Sequence, residues 1–189
     1  MIILIDADNV IENLTHEMFL YIDELYGTDA HYEELRDWDL CTAFPALTRE
    51  QVYGAELNAE LYDRVKPIEG AVGTIRRLID DGHEVFVVTN TPAKAYAPKT
   101  EKVFARYFPF IPSDHYILTS HKQMIRGDVL IDDGIHNLVG GTYAKLLFNA
   151  PNNMDYDAGA NGMIRVADWD DIYRVISGLN EDKEITKHE

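Results

Sequence analysis

Near the start of the chain, two carboxylates stand two residues apart at the end of a short apolar run, Ile2-Ile-Leu-Ile5 and then Asp6-Ala-Asp8. In an extended segment, residues i and i+2 share a face, so Asp6 and Asp8 leave the run together and face one crevice. Carboxylates this close do not both ionise at ease unless a cation lies between them or one holds a proton. Either state is useful chemistry: one group can ligate Mg²⁺ and act as nucleophile while the other carries a proton. Alone, the pair fits equally well a strand that runs into an acidic turn. Three further clusters complement it. Thr89-Asn90 offers a hydroxyl and an amide suited to phosphate oxygens at a helix start. Lys122 offers a point charge for an anion, and Asp132-Asp133 offers oxygen ligands for a hard cation. Brought to one place, these groups describe phosphoryl transfer through a carboxylate nucleophile.

Strand ends are what could bring them there. Ile2–Ile5 is too short for an independent helix and rich in β-branched residues, so it reads as a buried strand. Residues 84–88, 115–118, 128–131 and 144–148 read as further buried strands, and a last short one follows the loop 149–162. Helices are expected over 70–81, with Gly82 as the stop, over 98–108 and over 169–179. This alternation predicts an α/β fold, a Rossmann-like parallel sheet covered by helices on both faces. The functional clusters would then share one sheet edge, where ligands bind in open α/β sheets. Residues 11–66 interrupt the alternation. They begin with an apolar stripe, Met18, Phe19, Ile22, Leu25 and Tyr26, that ends at Gly27. After an irregular stretch, Thr48 and Gln51 form a capping-box pair opening a helix to about Val65. The expected organisation is a core of residues 1–10 and 67–180, a small helical cap of residues 11–66 over the site, and a disordered tail of residues 181–189.

Composition narrows the function. The 189 residues suit one α/β core with an insertion, and 46% hydrophobic content suits a soluble globular protein. No apolar run is long enough for a membrane helix, and the start lacks the basic region of a signal peptide. Cys41 is the single cysteine, so neither an internal disulfide nor a cysteine-rich zinc site is available, and a cytoplasmic setting is expected. The 33 acidic and 17 basic residues give a net charge of -16, which disfavours a polynucleotide partner but not a small phosphorylated ligand in a locally basic pocket. The histidines show no H-x-x-x-H pair, and no Walker-type loop is present. Phe19 and Tyr26 fit a core stripe better than a base-stacking platform, whereas Trp38 and Phe44 are candidates to stack on a base or sugar.

In this order, the clusters resemble the motif set of the haloacid dehalogenase-like phosphatases: Asp6-Ala-Asp8-Asn-Val10, Val88-Thr89-Asn90, Lys122 and Val129-Leu-Ile-Asp132-Asp133. Within that superfamily the chain looks most like the 5'(3')-deoxyribonucleotidases. The similarity takes in Pro67-Ile-Glu-Gly70-Ala-Val72, Glu101-Lys102 through Tyr107-Phe108, Ile117-Leu118-Thr119, Leu147-Phe148-Asn149-Ala150 and Ala167-Asp168-Trp169-Asp170-Asp171. It spans nearly the whole core, while residues 11–66 match poorly.

The resemblance implies that Asp6 attacks phosphorus and that Asp8 protonates the leaving oxygen and later activates water. It implies that Thr89 and Asn90 bind phosphoryl oxygens and that Lys122 steadies both Asp6 and phosphate. Lys94 is a further candidate phosphate contact. Mg²⁺ is expected on the Asp6 carboxylate, the Asp8 carbonyl and Asp133, with Asp132 orienting the cluster from behind. Asn9 stands where the family has Gly, and it tolerates the left-handed turn required there. The expected activity is Mg²⁺-dependent hydrolysis of deoxyribonucleoside monophosphates, with homodimer formation implied by family habit. The rivals are a phosphatase for another small phosphomonoester or a nucleic-acid terminal phosphate, and a catalytically silent nucleotide-binding protein. Asp8 argues against a dehalogenase, which needs no acid there.

Overall fold

The computed structural model describes residues 1–187. Its centre is a six-stranded, wholly parallel sheet of order β3-β2-β1-β4-β5-β6. In chain order the elements are β1 (Ile2–Ile5), α1 (Leu14–Tyr26), α2 (Arg49–Gly54), α3 (Leu61–Arg64), α4 (Ala71–Asp80) and β2 (Glu84–Thr89). They continue with α5 (Ala93–Lys99), α6 (Ala105–Tyr107), β3 (Tyr116–Leu118), β4 (Val129–Asp132), α7 (Ile135–Leu138), β5 (Ala144–Phe148), β6 (Ile164–Val166) and α8 (Trp169–Lys187). The strand order reverses direction at β1 and β4, with Ile5 opposite Ile131. That reversal opens a crevice at the carboxyl ends of the two strands, which is where Asp6 emerges.

The β1 side chains alternate between two cores. Ile3 and Ile5 face a large cluster with Ile75 and Leu78 of α4 and Ile172 and Ile176 of α8. Leu4 faces a smaller one with Leu130, Leu147 and Leu138 of α7. The first face therefore carries long helices, while the second is covered by the short α7 and loop residues such as Tyr156 and Met163. No described helix is long and apolar enough to cross a membrane.

Residues 11–66 fold mainly into α1–α3 and 3-10 turns, and their buried side chains, among them Phe19 and Val52, join the large cluster. The Thr48–Gln51 capping box forms, but the helix it opens is broken rather than running to Val65. After α2 and a 3-10 turn, the Asn58 carboxamide oxygen accepts from Glu60 N at 3.0 Å, a local turn that competes with helix. A second boundary also moves: the helix expected from Pro98 already begins at Ala93. Pro98 sits inside α5, and a π-helical turn, Thr100–Phe104, follows before α6. The two linkers of the insertion clasp each other. Asn13 N donates to Lys66 O at 3.0 Å, Ile68 N to Ile11 O at 3.0 Å, and Lys66 N to the Asn13 side chain at 2.8 Å. The disordered-tail expectation falls on residues 181–189, whose side chains, with the backbone of residues 188 and 189, lie outside the described residues.

Candidate active site

Asp6 continues β1 past its last strand residue, held in line by its N–H donating to Ile131 O at 2.9 Å. The chain then turns tightly, and Asn9 takes the left-handed conformation at φ 60°. Its side chain works in two directions: Nδ2 donates to Asp133 Oδ2 at 3.0 Å, while Oδ1 accepts from Thr15 N at 3.1 Å. A glycine would allow the turn but could not tie the end of β4 to the start of α1.

Lys122 lies on the 3-10 turn after β3 and is 1% exposed. Its ammonium reaches Asp6 Oδ1 at 2.7 Å and Asp132 Oδ2 at 2.6 Å. Asp132 spends its other oxygen on Gly134 N at 2.8 Å and Asn137 Nδ2 at 2.9 Å, so it is fully committed to fixing the cluster. Ligand atoms of Asp6, Asp132 and Asp133 lie within 4.8 Å of one another, all buried. With all three carboxylates ionised against one ammonium, the buried cluster would carry an excess of two negative charges. Burial first, then repulsion from Asp132 and Asp8, push the Asp6 carboxyl up to about 7 despite Lys122. Burial and the Asp6 and Asp132 charges likewise push Asp133 well above the usual carboxylate range. A hard divalent cation matches that excess in sign, size and donor type.

Asp8 is governed by a different lysine. Burial is the strongest single influence and opposes its charge, but the Lys99 ammonium, hydrogen bonds from Glu12 and Lys99 and the Lys122 charge together hold Asp8 below the usual range. Lys99 Nζ contacts Asp8 Oδ1 directly, lies 2.7 Å from Glu12 Oε1 and donates to Thr91 Oγ1 at 3.2 Å. The cavity above these groups has a volume of about 230 Å³. Asp6, Asp8, Lys122 and Asp133 form its polar end, and residues of the insertion such as Met18 and Trp38 line the rest together with Asn90, His136, Asn137 and Asn152 of the core.

The sequence matches the family described as "5' nucleotidase, deoxy (Pyrimidine), cytosolic type C protein" over residues 1–181. It is 32% identical over 174 residues to a 5'(3')-deoxyribonucleotidase of Bacillus subtilis (strain 168), covering 92% of this chain and 96% of that protein. The chain belongs to this nucleotidase family. With the family comes the wider class: it is a haloacid dehalogenase-like phosphomonoester hydrolase. A 5'(3')-deoxyribonucleotidase of Clostridium acetobutylicum is 24% identical over 173 residues, 87% of this chain and 88% of that protein. Solved structures share the fold. A haloacid dehalogenase family hydrolase from Deinococcus radiodurans superposes with TM-score 0.61 at 16% identity, over 94% of this chain and 95% of that one. A haloacid dehalogenase-like protein from Agrobacterium tumefaciens gives TM-score 0.66 at 15% identity, over 95% and 98%.

Within this nucleotidase fold, Asp6, Asp8, Asn90, Lys122 and Asp133 all line one cavity. Thr89 is buried beside it, its hydroxyl 2.9 Å from that of Thr91. Trp38 lines the cavity half-exposed, with its ring edge against His136 at 4.5 Å. Two expectations need correction. Phe44 is a core residue, 1% exposed and 4.8 Å from the Phe19 ring, and cannot stack on a ligand. Lys94 is exposed on the first turn of α5 and is not part of the cavity wall.

Sequence reasoning missed Glu12, Lys99 and Asn137. One signal for Lys99 was available: Ala95, Lys99 and Val103 recur at spacings of four, and all three are 0% exposed. A lysine on an apolar helical stripe announces a buried partner.

Proposed function

We propose that the protein is a Mg²⁺-dependent phosphatase of deoxyribonucleoside monophosphates that works through an aspartyl-phosphate on Asp6. The observation that carries this reading is the Lys122 ammonium between Asp6 and Asp132, inside a trio of buried carboxylates that opens on a cavity of about 230 Å³. The 5'(3')-deoxyribonucleotidase relatives support the substrate class.

In this reading an Asp6 carboxylate oxygen attacks phosphorus in line, and the bond from phosphorus to the nucleoside oxygen breaks. Asp8, taking up a proton as the phosphate dianion enters beside it, donates that proton to the departing oxygen, then removes one from the water that attacks the aspartyl-phosphate and releases phosphate and free Asp6. Lys122 limits the repulsion between Asp6 and the incoming dianion, and Thr89 and Asn90 receive the phosphoryl oxygens. Mg²⁺ held by Asp6, Asp133 and the Asp8 carbonyl would neutralise charge on the phosphoryl group, with Asp132 orienting this set. Trp38 offers the base or sugar an aromatic wall. The single half-buried Cys41 suits a reducing cytoplasm, where such nucleotides occur.

Phosphate release from dUMP, dTMP and their ribo and 3' counterparts, with Mg²⁺, tests the reading. The parent releases phosphate from the deoxyribonucleotides, and Asp6→Asn loses turnover by roughly a thousandfold or more while still binding nucleotide. An Asp6→Asn enzyme that hydrolyses at the parent rate would remove Asp6 as nucleophile. A parent active only on other phosphomonoesters would replace the substrate class.

A further inference from the structure

We propose that Lys99, clamped from the cap linker by Glu12, is a positioning residue for the proton-transfer group Asp8 rather than a phosphate-binding cation. The inference rests on the phosphatase reading above.

A lysine at 0% exposure must be compensated, and here two hydrogen bonds, to Asp8 and Thr91, and a close ion pair with Glu12 do so. An ammonium carries three protons, and three oxygens surround this one: Asp8 Oδ1 in direct contact, Glu12 Oε1 at 2.7 Å and Thr91 Oγ1 at 3.2 Å. Lys99 is fully buried and is not part of the cavity wall, so its ammonium does not meet a substrate oxygen. The charge is therefore spent on holding protein groups, and the one of these that faces the cavity is Asp8.

Each contact starts from a different part of the fold. Asp8 follows β1, Thr91 follows β2, and Glu12 sits in the linker clasped at Asn13 and Ile68. Through the Thr91 hydroxyl, 2.9 Å from that of Thr89, the chain of contacts also reaches the phosphate-binding strand end. The two reacting carboxylates thus have separate counterions, Lys122 for Asp6 and Lys99 for Asp8, each backed by a second buried carboxylate, Asp132 and Glu12. The rotamer of Asp8 is set by a lysine fixed on all sides. Without that lysine, a carboxylate with open cavity on one side is free to turn toward solvent.

A buried ion triad could also serve as plain cement between α5 and the linker. Leaving-group chemistry separates the two roles. A nucleoside alkoxide needs a proton as it departs, whereas para-nitrophenolate needs none. Up to that departure, kcat/KM reports the first chemical step and excludes the later water attack. The experiment measures kcat/KM for dUMP and para-nitrophenyl phosphate in the parent, Lys99→Met, Glu12→Gln and Asp8→Asn.

Expected for Lys99→Met is a loss of about a hundredfold on dUMP and less than about tenfold on the aryl ester, the same pattern as Asp8→Asn. Glu12→Gln, isosteric and free of an added cavity, shifts the ratio the same way by at least about threefold and serves alone if Lys99→Met does not fold. Equal losses on both substrates, or no loss on either, overturn the proposal and leave a structural ion cluster. A parent that releases phosphate from neither substrate would instead remove the phosphatase reading itself.

Discussion

Asp6 and Asp133 carry a conflict that either a proton or a bound cation resolves. Burial and mutual repulsion lift both carboxyls above their ordinary range, Asp6 to about 7. A group raised in the folded state contributes stability that is fully present below its unfolded pKa and is lost as pH rises through the folded value. The metal-free protein should therefore lose part of its thermal stability between about pH 4 and about pH 7, and saturating Mg²⁺ should suppress that loss by binding the ionised form. Asp133→Asn removes one of the repelling charges. Melting in chelator should show this variant above the parent at the higher pH, with little response to Mg²⁺. A variant that melts below the parent there and keeps the full response would show that Asp133 does not belong to the cation site.

Trp38 supplies the second residue-scale prediction. As the half-exposed aromatic on the cavity wall, its truncation to Ala should raise KM for nucleotides roughly tenfold, in line with about 1.5 kcal/mol for a lost stacking contact, and leave kcat near the parent value. A change confined to kcat would contradict the assigned role.

At the scale of elements, the strands were the legible part. Ile2–Ile5, Glu84–Thr89 and Val129–Asp132 are apolar runs that stop at chemically distinctive residues, so a parallel sheet converts their sequence order into spatial convergence. The cap was less legible because its boundaries depend on contacts between distant residues. Asn58 breaks the helix after α2 by bonding to Glu60 N, and its amide also reaches the Tyr21 hydroxyl on α1. Phe44 reads as an available aromatic until α1 brings Phe19 against it. Lys99 was hidden for the same reason, since its partners Asp8 and Glu12 lie on the far side of the cap in sequence.

Gly134 lies where Trp38 of the insertion comes close to the Asp132 carboxylate. A Cβ there would stand 2.8 Å from Asn137 Nδ2 and 3.0 Å from both Asp132 Oδ1 and the Trp38 ring. Gly134→Ala should lower kcat/KM by about tenfold or more, because relief requires moving either the carboxylate that fixes Lys122 or the cap tryptophan. Unchanged kinetics would show that the contact yields without cost.

For the whole molecule, the net charge of -16 makes the surface a poor host for polyanions, and the site counters this by burying its cations. Lys122 and Lys99 are both buried, Lys122 paired with Asp6 and Lys99 with Asp8. The insertion lines the same cavity as the carboxylates, and its linkers are clasped at their base.

The central claim is that Asp6 accepts the phosphoryl group at the point where these strand ends meet. A crystal structure with Mg²⁺ and beryllofluoride, a mimic of an acyl phosphate, tests it directly. The account predicts beryllium bonded to an Asp6 carboxylate oxygen, fluorides directed to Thr89, Asn90 and Lys122, and the metal bridging Asp6 and Asp133. Beryllofluoride seated elsewhere, with Asp6 unmodified at full occupancy of the metal, would contradict it.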